Sequence, residues 1–482
     1  MNEKTRRWWV LAICCTSIFL VGLDTTVVNV ALPSIGRELR LGVRELEWTV
    51  DAYTLVLASL LITSGALADR VGRRRVFRIG LVVFGLGSVG CAVAPDLDVL
   101  VAARLLQGVG GSMLSPVALA IVVGVITDPR ERAQAIGIWA AVFGLSMAAG
   151  PVLGGALIAG LGWRAVFWAS LPIIGTVLAL SAVYVPESRA ARPRRLDLPG
   201  QVLLSILVAA VVAVLIEGPR VGWRSGWSIG GYAVIVAAAL AFARVQARRV
   251  EPLMELGLFR RLPFTAAVGG AVVVFLALNA TLLLGTLYLQ QVRGLSPLAA
   301  GAVTLPMAFA ATVCAPLSGY LVGRVGPRMP LRLAGASIAV GGALLVGIGD
   351  RTALPVLLAA YLFAGIGVGF ANAPITNTAV SGLPPERSGV AGGIASTARQ
   401  VGAALGIALA GGLVAGPSAG GLAAGPAAGG LAAATRPGWM LVAICGALLL
   451  LVAQASPVGR RAGAERPVVA NTGRAAVVSG RR

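Results

Sequence analysis

Histidine is absent from this 482-residue chain, lysine occurs only at Lys4, and charged residues make up just 12% of the total. Without histidine, imidazole proton relays and the commonest zinc sites are excluded. The five cysteines, Cys14, Cys15, Cys91, Cys314 and Cys445, fall in apolar stretches and not at ligand spacing. Structural disulfides and metal centres are therefore not expected, and no cofactor is implied. Gly365, Gly367 and Gly369 sit in an apolar run without the strand and helix that a phosphate-binding loop needs, which argues against nucleotide binding and an ATP-driven pump.

What the chain has in abundance is apolar length. Hydrophobic residues reach 57% and the mean hydropathy is +0.88, far from the balance of a water-soluble domain. Runs of about 20 apolar residues, the length that crosses a bilayer, recur from Trp8 almost to the end. The first run has a basic start but continues past Leu20 without a small-residue cleavage site, so it is expected to stay as the first helix. Spans are predicted near 8–32, 47–69, 76–95, 98–122, 134–160 and 166–185, then 200–217 and 228–246. Six more follow near 264–289, 297–323, 330–349, 353–375, 388–415 and 437–455. The predicted fold is an all-α polytopic bundle of about fourteen spans, two pseudo-symmetric six-helix bundles with two inserted helices. Its parts are 1–187, 188–262 and 263–457, with a basic, disordered tail at 458–482. The Ala/Gly/Pro repeat from Gly411 to Pro437 is expected to be a flexible extracellular linker.

The net charge of +21 could point to nucleic acid, but the basic residues lie in alternate loops. One set holds Arg70, Arg73–Arg75, Arg130, Arg132, Arg192–Arg195, Arg248, Arg249, Arg324, Arg328 and the tail, whereas the other holds only scattered arginines such as Arg37, Arg164 and Arg351. By the positive-inside rule the rich set and both termini face the cytoplasm, across the cell membrane. No basic face interleaves with aromatics, so nucleic acid is excluded as a partner.

Ionisable residues inside spans are expensive and therefore functional candidates. Asp24 lies two thirds of the way through the first span, in Leu23-Asp-Thr-Thr-Val-Val-Asn29-Val-Ala-Leu-Pro33, with no basic residue nearby in sequence. It is a candidate for cycling between protonated and charged forms; a permanently neutral, hydrogen-bonded carboxyl is the alternative. Asp51 lies one turn into the second span, where it could still touch water, and Trp48 and Tyr53 could line a vestibule or form part of an interfacial belt. Arg104, close to Gln107, cannot lose its proton and so tunes a carboxylate or packs helices statically. Asn29, Gln107, Asn279, Asn372, Arg399 and Gln400 are further candidates for lining a cavity. Gly144, Gly150, Pro151 and Gly154 permit close helix contact and break the backbone ladder, as a hinge or seal between bundles would. Gly65-Ala-Leu-Ala-Asp69-Arg70-Val-Gly72-Arg73 has a weak echo at Gly319–Arg328, a trace of internal duplication.

At these motifs the chain resembles the major facilitator superfamily, and more narrowly its fourteen-helix drug:proton antiporters, over nearly its whole length. The Gly65–Arg75 stretch is similar to the family's cytoplasmic loop signature, Arg104–Gly111 to its fourth-helix motif, Gly144–Gly155 to the fifth-helix antiport motif, and Leu23–Pro33 to the first-helix motif. The resemblance implies a conformational latch at Gly65, Asp69, Arg70, Gly72 and Arg73, proton coupling at Arg104, and proton or cationic-drug binding at Asp24 and Asp51. It implies a non-enzymatic, proton-driven exporter of small lipophilic or cationic compounds, working as a monomer in the lipid bilayer. A narrow exporter of one metabolite, an uptake symporter and a membrane receptor remain open readings. The second-half loop departs from the pattern, with Gly323 where the first has Asp69.

Overall fold

A computed structural model describes residues 3–126, 128–189, 197–249, 252–254, 256–349, 351–380, 385–414 and 428–456. These form α1 (Glu3–Leu39), α2 (Val43–Val71), α3 (Arg73–Ala92), α4 (Leu97–Val125), α5 (Pro129–Leu161), α6 (Arg164–Trp168) and α7 (Ser170–Tyr184). Two further helices follow, α8 (Leu198–Val221) and α9 (Gly226–Arg248). The remainder comprises α10 (Leu262–Leu287), α11 (Pro297–Val303), α12 (Leu305–Val325), α13 (Arg328–Val346), α14 (Leu354–Val380), α15 (Pro385–Val414) and α16 (Ala428–Ala455). A one-turn 3-10 helix precedes α10, and a π turn, Tyr288–Val292, extends it.

Helix is the natural state for these runs, because in hydrocarbon every backbone N–H and C=O must be satisfied within the chain. Starts are marked by side-chain caps: Asp96 accepts from the Val99 amide at 3.0 Å to open α4, Asp197 from Gly200 to open α8, and Ser225 from Ser228 to open α9. Proline explains two spans that sequence periodicity reads as continuous. Pro172 and Pro306 lack an N–H and crowd the carbonyl four residues back, and the helix breaks there, into α6/α7 and α11/α12. Thirteen of the described spans are long and apolar enough to cross a membrane, and α5 adds a shorter apolar stretch, Ala149–Leu161. Ile79, Val82 and Leu86 on α3 and Val234, Val236 and Leu240 on α9 are exposed, as a surface facing lipid requires.

The packing is repeated. α3 lies on α4, α2 on α4, α1 on α4, α5 and α7, and α3 on α6 and α7; in the second half α13 lies on α14, α12 on α14, α10 on α14, α15 and α16, and α13 on α16. The two six-span sets meet where α2 packs on α15, α5 on α11 and α12, and α1 on α10. α8 fits against α2 and α15, whereas α9 packs on α8 and touches the 3-10 turn. Because successive spans alternate in direction, the end of α1, the start of α2, the end of α5, the start of α11 and the end of α15 share one end of the molecule. This is called the far end, since the N-terminus lies at the other.

Two expectations need correction. The first span is much longer than 8–32, because Pro33 is accommodated inside α1 near its end. The stretch Gly411–Pro437 is also not wholly a linker: α15 runs to Val414 and α16 starts at Ala428, since alanine favours helix strongly enough to extend the spans into the repeat. Residues 415–427 and the tail lie outside the described residues.

Candidate functional site

Four helices converge on Asp24. Arg104 and Gln107 are one turn apart on α4 and project from the same face. Arg104 Nη1 donates to Asp24 Oδ2 at 2.8 Å and to Gln107 Oε1 at 2.6 Å. Gln107 Nε2 donates in turn to Asp24 Oδ1 at 2.9 Å and to Ser88 Oγ of α3 at 3.0 Å. Arg104 Nε reaches the Thr49 carbonyl of α2 at 3.0 Å, and the guanidinium lies 4.3 Å from the centre of the Tyr53 ring. Arg104 and Gln107 are fully buried and Asp24 is 8% exposed. The helices come this close because Gly110 of α4 lies against the backbone of Phe84 in α3, where any β-carbon would overlap.

The carboxyl with no basic neighbour in sequence thus meets a cation eighty positions on. The bond between the pair is charge-assisted and shielded from water, and a dry interior strengthens it. One donor, Arg104 Nη2, has no hydrogen-bond partner among the described residues. This orphaned donor gives the centre spare capacity for another ligand.

Asp51 does not touch water. It is fully buried, because α2 is covered there by α15 as well as by its own bundle; Thr54 Oγ1 donates to its Oδ1 at 3.2 Å. Trp48 and Tyr53, the expected vestibule residues, are both engaged with protein side chains. Trp48 Nε1 donates to Glu217 of α8 at 3.3 Å, and Tyr53 is buried edge-on against Phe84. Glu47, passed over as the beginning of a span, is almost wholly buried; a carboxyl four residues before Asp51 was the sequence signal.

The Gly150–Pro151–Gly154 segment lies between α1 and the second half. Gly150 leaves room for Thr26, Gly154 for Val27, and Gly155 for the Pro297 carbonyl and Leu298 of α11; Gly301 of α11 faces the Pro151 carbonyl. Next to this contact a narrow cavity is lined by Thr26, Asn29, Thr286, Gln290 and Thr304 among others. Asn29 donates to the Thr25 carbonyl and Gln290 to the Val30 carbonyl at 3.0 Å, while the side-chain oxygens of Asn29 and Gln290 have no partner among the described residues. Gly144 lies in α5, with its surroundings outside the described residues. Asn279 is buried and donates to Phe275; Asn372, Arg399 and Gln400 are half-buried.

At the α2–α3 turn, Gly72 takes φ 124°, a conformation that favours glycine. The turn lets Arg73 reach back to Asp69 at 2.9 Å and across to the Ala120 carbonyl of α4. Glu187, after α7, accepts from the Arg74 amide at 3.1 Å. Arg70 is exposed, and Gly65 faces open space among the described residues. The second-half loop turns similarly at Gly326, but Arg328 and Arg332 donate to Gln454 at the end of α16, with an amide where the first half uses a carboxylate.

Comparison with known proteins agrees with this architecture. Residues 14–407 match the Major Facilitator Superfamily. The chain is 39% identical to the multidrug resistance protein Stp of Mycobacterium tuberculosis, over 83% of this chain and 74% of the relative. It is 37% identical to the methylenomycin A resistance protein of Streptomyces coelicolor, over 82% and 83%, and 33% identical to the multidrug efflux pump LfrA of Mycolicibacterium smegmatis, over 85% and 81%. Its fold resembles that of a bacterial homologue of the lysosomal transporter Spinster, solved inward-facing and unoccupied, with TM-score 0.62 and 18% identity over 94% and 98% of the two chains. The chain belongs to the Major Facilitator Superfamily, in the same branch as these resistance and efflux proteins.

Proposed function

We propose that the protein is a proton-coupled efflux transporter, exporting small lipophilic or cationic compounds, antibiotics among them, by alternating access. The observation that carries this reading is the buried Asp24–Arg104–Gln107 centre. An anion held by an adjacent cation at the core of one bundle is a place where a proton or a cationic compound would compete with Arg104 for the same carboxylate oxygens. The resistance and efflux proteins among its relatives supply the substrate class. Both termini are assigned to the cytoplasm, so the far end is extracellular.

In the proposed cycle the two six-span bundles, divided at about 187 and 263, rock about the contacts of α5 with α11 and α2 with α15. Compound enters from the cytoplasm next to the Asn29–Gln290 cavity; a proton from outside neutralises Asp24 and favours release. Gly65, Asp69, Arg70, Gly72 and Arg73 act as a latch at the cytoplasmic end, and Gly144, Gly150, Pro151 and Gly154 as the hinge. Asn279, Asn372, Arg399 and Gln400 are assigned to the cavity wall, and one chain to the working unit. A membrane potential of about 100 mV contributes about 2.3 kcal/mol per charge moved, roughly a fiftyfold gradient per proton.

The test is pH change in inside-out vesicles with an acidic interior, challenged with lipophilic cations and antibiotics. Wild type should release protons on substrate addition, and Asp24→Asn should not. A relative named as a methylenomycin A resistance protein favours a narrow exporter as the second reading. Exchange restricted to one compound of the panel would select it; exchange retained in Asp24→Asn would remove Asp24 from the coupling step.

A further inference from the structure

A second group of acids lies on the far-end half of α2, on either side of Thr49, whose carbonyl Arg104 holds; neither carboxyl is among the hydrogen-bond partners of the Asp24–Arg104 centre. Glu47 is 1% exposed, and neither of its carboxyl oxygens has a hydrogen-bond partner among the described residues. One turn further on, Asp51 is fully buried, with Oδ2 equally unpartnered. The charged groups close enough to act on Glu47 are Asp51, Glu45 and Arg44 on α2 and Glu217 on α8. Arg44 is the cation of this set, and it is already held by Glu45 at 2.7 Å and Glu217 at 3.0 Å. From α15, Arg399 is the ionisable group among the described side chains, and it stands about three turns from the contact with Glu47.

That contact is made with Gly411. The Glu47 side chain occupies the place where a residue with a β-carbon would put it: Cγ comes within 2.8 Å of that position and the carboxyl oxygen closer still. The acid is therefore sealed between the two halves of the molecule when α2 and α15 are together. A bare carboxylate buried without a cation is strongly disfavoured, and a neutral acid far less so. Parting of α2 and α15 would return the group to water, where the carboxylate is the stable form. A proton that binds one arrangement better than the other shifts the balance between them.

We propose that Glu47 is a proton-binding site of its own, separate from the Asp24–Arg104 centre, and that a proton taken up there closes the α2–α15 seam. The proton adds to a carboxylate oxygen of Glu47 from the far-end solution while the seam is open, and leaves to the same solution when it reopens. It sets which way the molecule faces without crossing the membrane, whereas the proton at Asp24 is the one carried. The inference rests on the proposed alternating access, but its test needs no transported compound.

The full-length protein, with its cysteines replaced by serine and spin labels placed by Val93→Cys at the end of α3 and Leu354→Cys at the start of α14, is reconstituted in lipid nanodiscs. Both positions are exposed, at 56% and 46%. Distance distributions are recorded between about pH 5 and pH 9, the range over which perturbed carboxyls titrate. The parent should pass from an open to a closed far end as pH falls. Glu47→Gln, neutral and of the same shape, should be closed throughout, with the pH response lost, and Asp98→Asn, at an exposed far-end carboxyl, should keep it. Gly411→Ala, whose methyl group displaces the carboxyl, should favour the open far end at every pH. A pH response in Glu47→Gln equal to the parent's overturns the proposal, as does a parent that never moves, or closure of Gly411→Ala identical to the parent's if the glutamine variant does not fold. Substrate-driven proton release missing from the parent while this response is present would instead defeat the efflux reading alone.

Discussion

Separating Asp24 from Arg104 tests the centre of the molecule most directly, because the pair is anchored by identifiable bonds. With charge centres about 4 Å apart, Coulomb attraction at an effective dielectric of about 20 is worth about 4 kcal/mol. Removing one partner of a buried pair costs about 3–5 kcal/mol by mutational experience, since the other charge is stranded. Asp24→Asn keeps an oxygen to accept from Arg104 Nη1 at its present 2.8 Å, but it also leaves the guanidinium uncompensated within a fully buried site. Arg104→Met leaves the carboxyl beside Gln107 alone. Each single variant should therefore lose about 3 kcal/mol or more of unfolding free energy, roughly a hundredfold in the folding equilibrium. The double variant, with neither charge to strand, should recover most of it. The assay is a double-mutant cycle of reversible unfolding in mixed micelles, with a coupling energy of about 2–4 kcal/mol expected. Additive losses, or single variants within about 0.5 kcal/mol of wild type, would refute the claim that the pair is a desolvated unit.

Gly301→Leu should hold the Pro151 carbonyl away from α11 and prevent far-end closure; a thiol probe placed near Thr286 would stay accessible from that side in the variant and not in wild type. Asp69→Asn removes a half-exposed ion pair with Arg73 at 2.9 Å, so its effect on stability should be at most about 1 kcal/mol, whereas transport rate should fall severalfold in vesicles. A loss of stability with the rate unchanged would deny the latch. Glu217→Gln releases Arg44 and weakens the hold of Trp48, so α8 should separate from α2; hydrogen exchange at the far-end turn of α8 should rise. Gln107→Ala leaves Asp24 Oδ1 and Ser88 without their shared donor and should cost about 1–3 kcal/mol, read in the same unfolding assay.

Sites were legible where a residue violates the chemistry of its surroundings. A carboxyl at Asp24 and a guanidinium at Arg104 stand out in apolar runs because no soluble-protein explanation is available for them there. Glu47 did not stand out, because a charge near the beginning of a span reads as solvated; only the approach of Gly411, more than three hundred positions away, shows that it is covered. Asp51 was misplaced for the same reason. Distance along one helix measures depth in a membrane, but burial depends on what the other helices cover. Gln290 is similar: an amide in an apolar run gives no hint that it donates to Val30 across the seam between the halves.

Hydrophobic length alone determined that this chain is a helical membrane protein, how many spans it has to within the proline breaks, and that two six-span sets flank an inserted pair. Those are consequences of local chemistry: bilayer thickness, the backbone's demand for hydrogen bonds, and the missing N–H of proline. Tertiary structure alone decided which charges meet. Pairing Asp24 with Arg104 requires α1 and α4 to lie side by side, and leaving Glu47 without a cation among the described residues requires Glu45 and Glu217 to hold Arg44 while α15 closes over the acid. Electrostatic energy in a dry interior depends on separations of a few ångströms, and those separations are set by helices far apart in the chain.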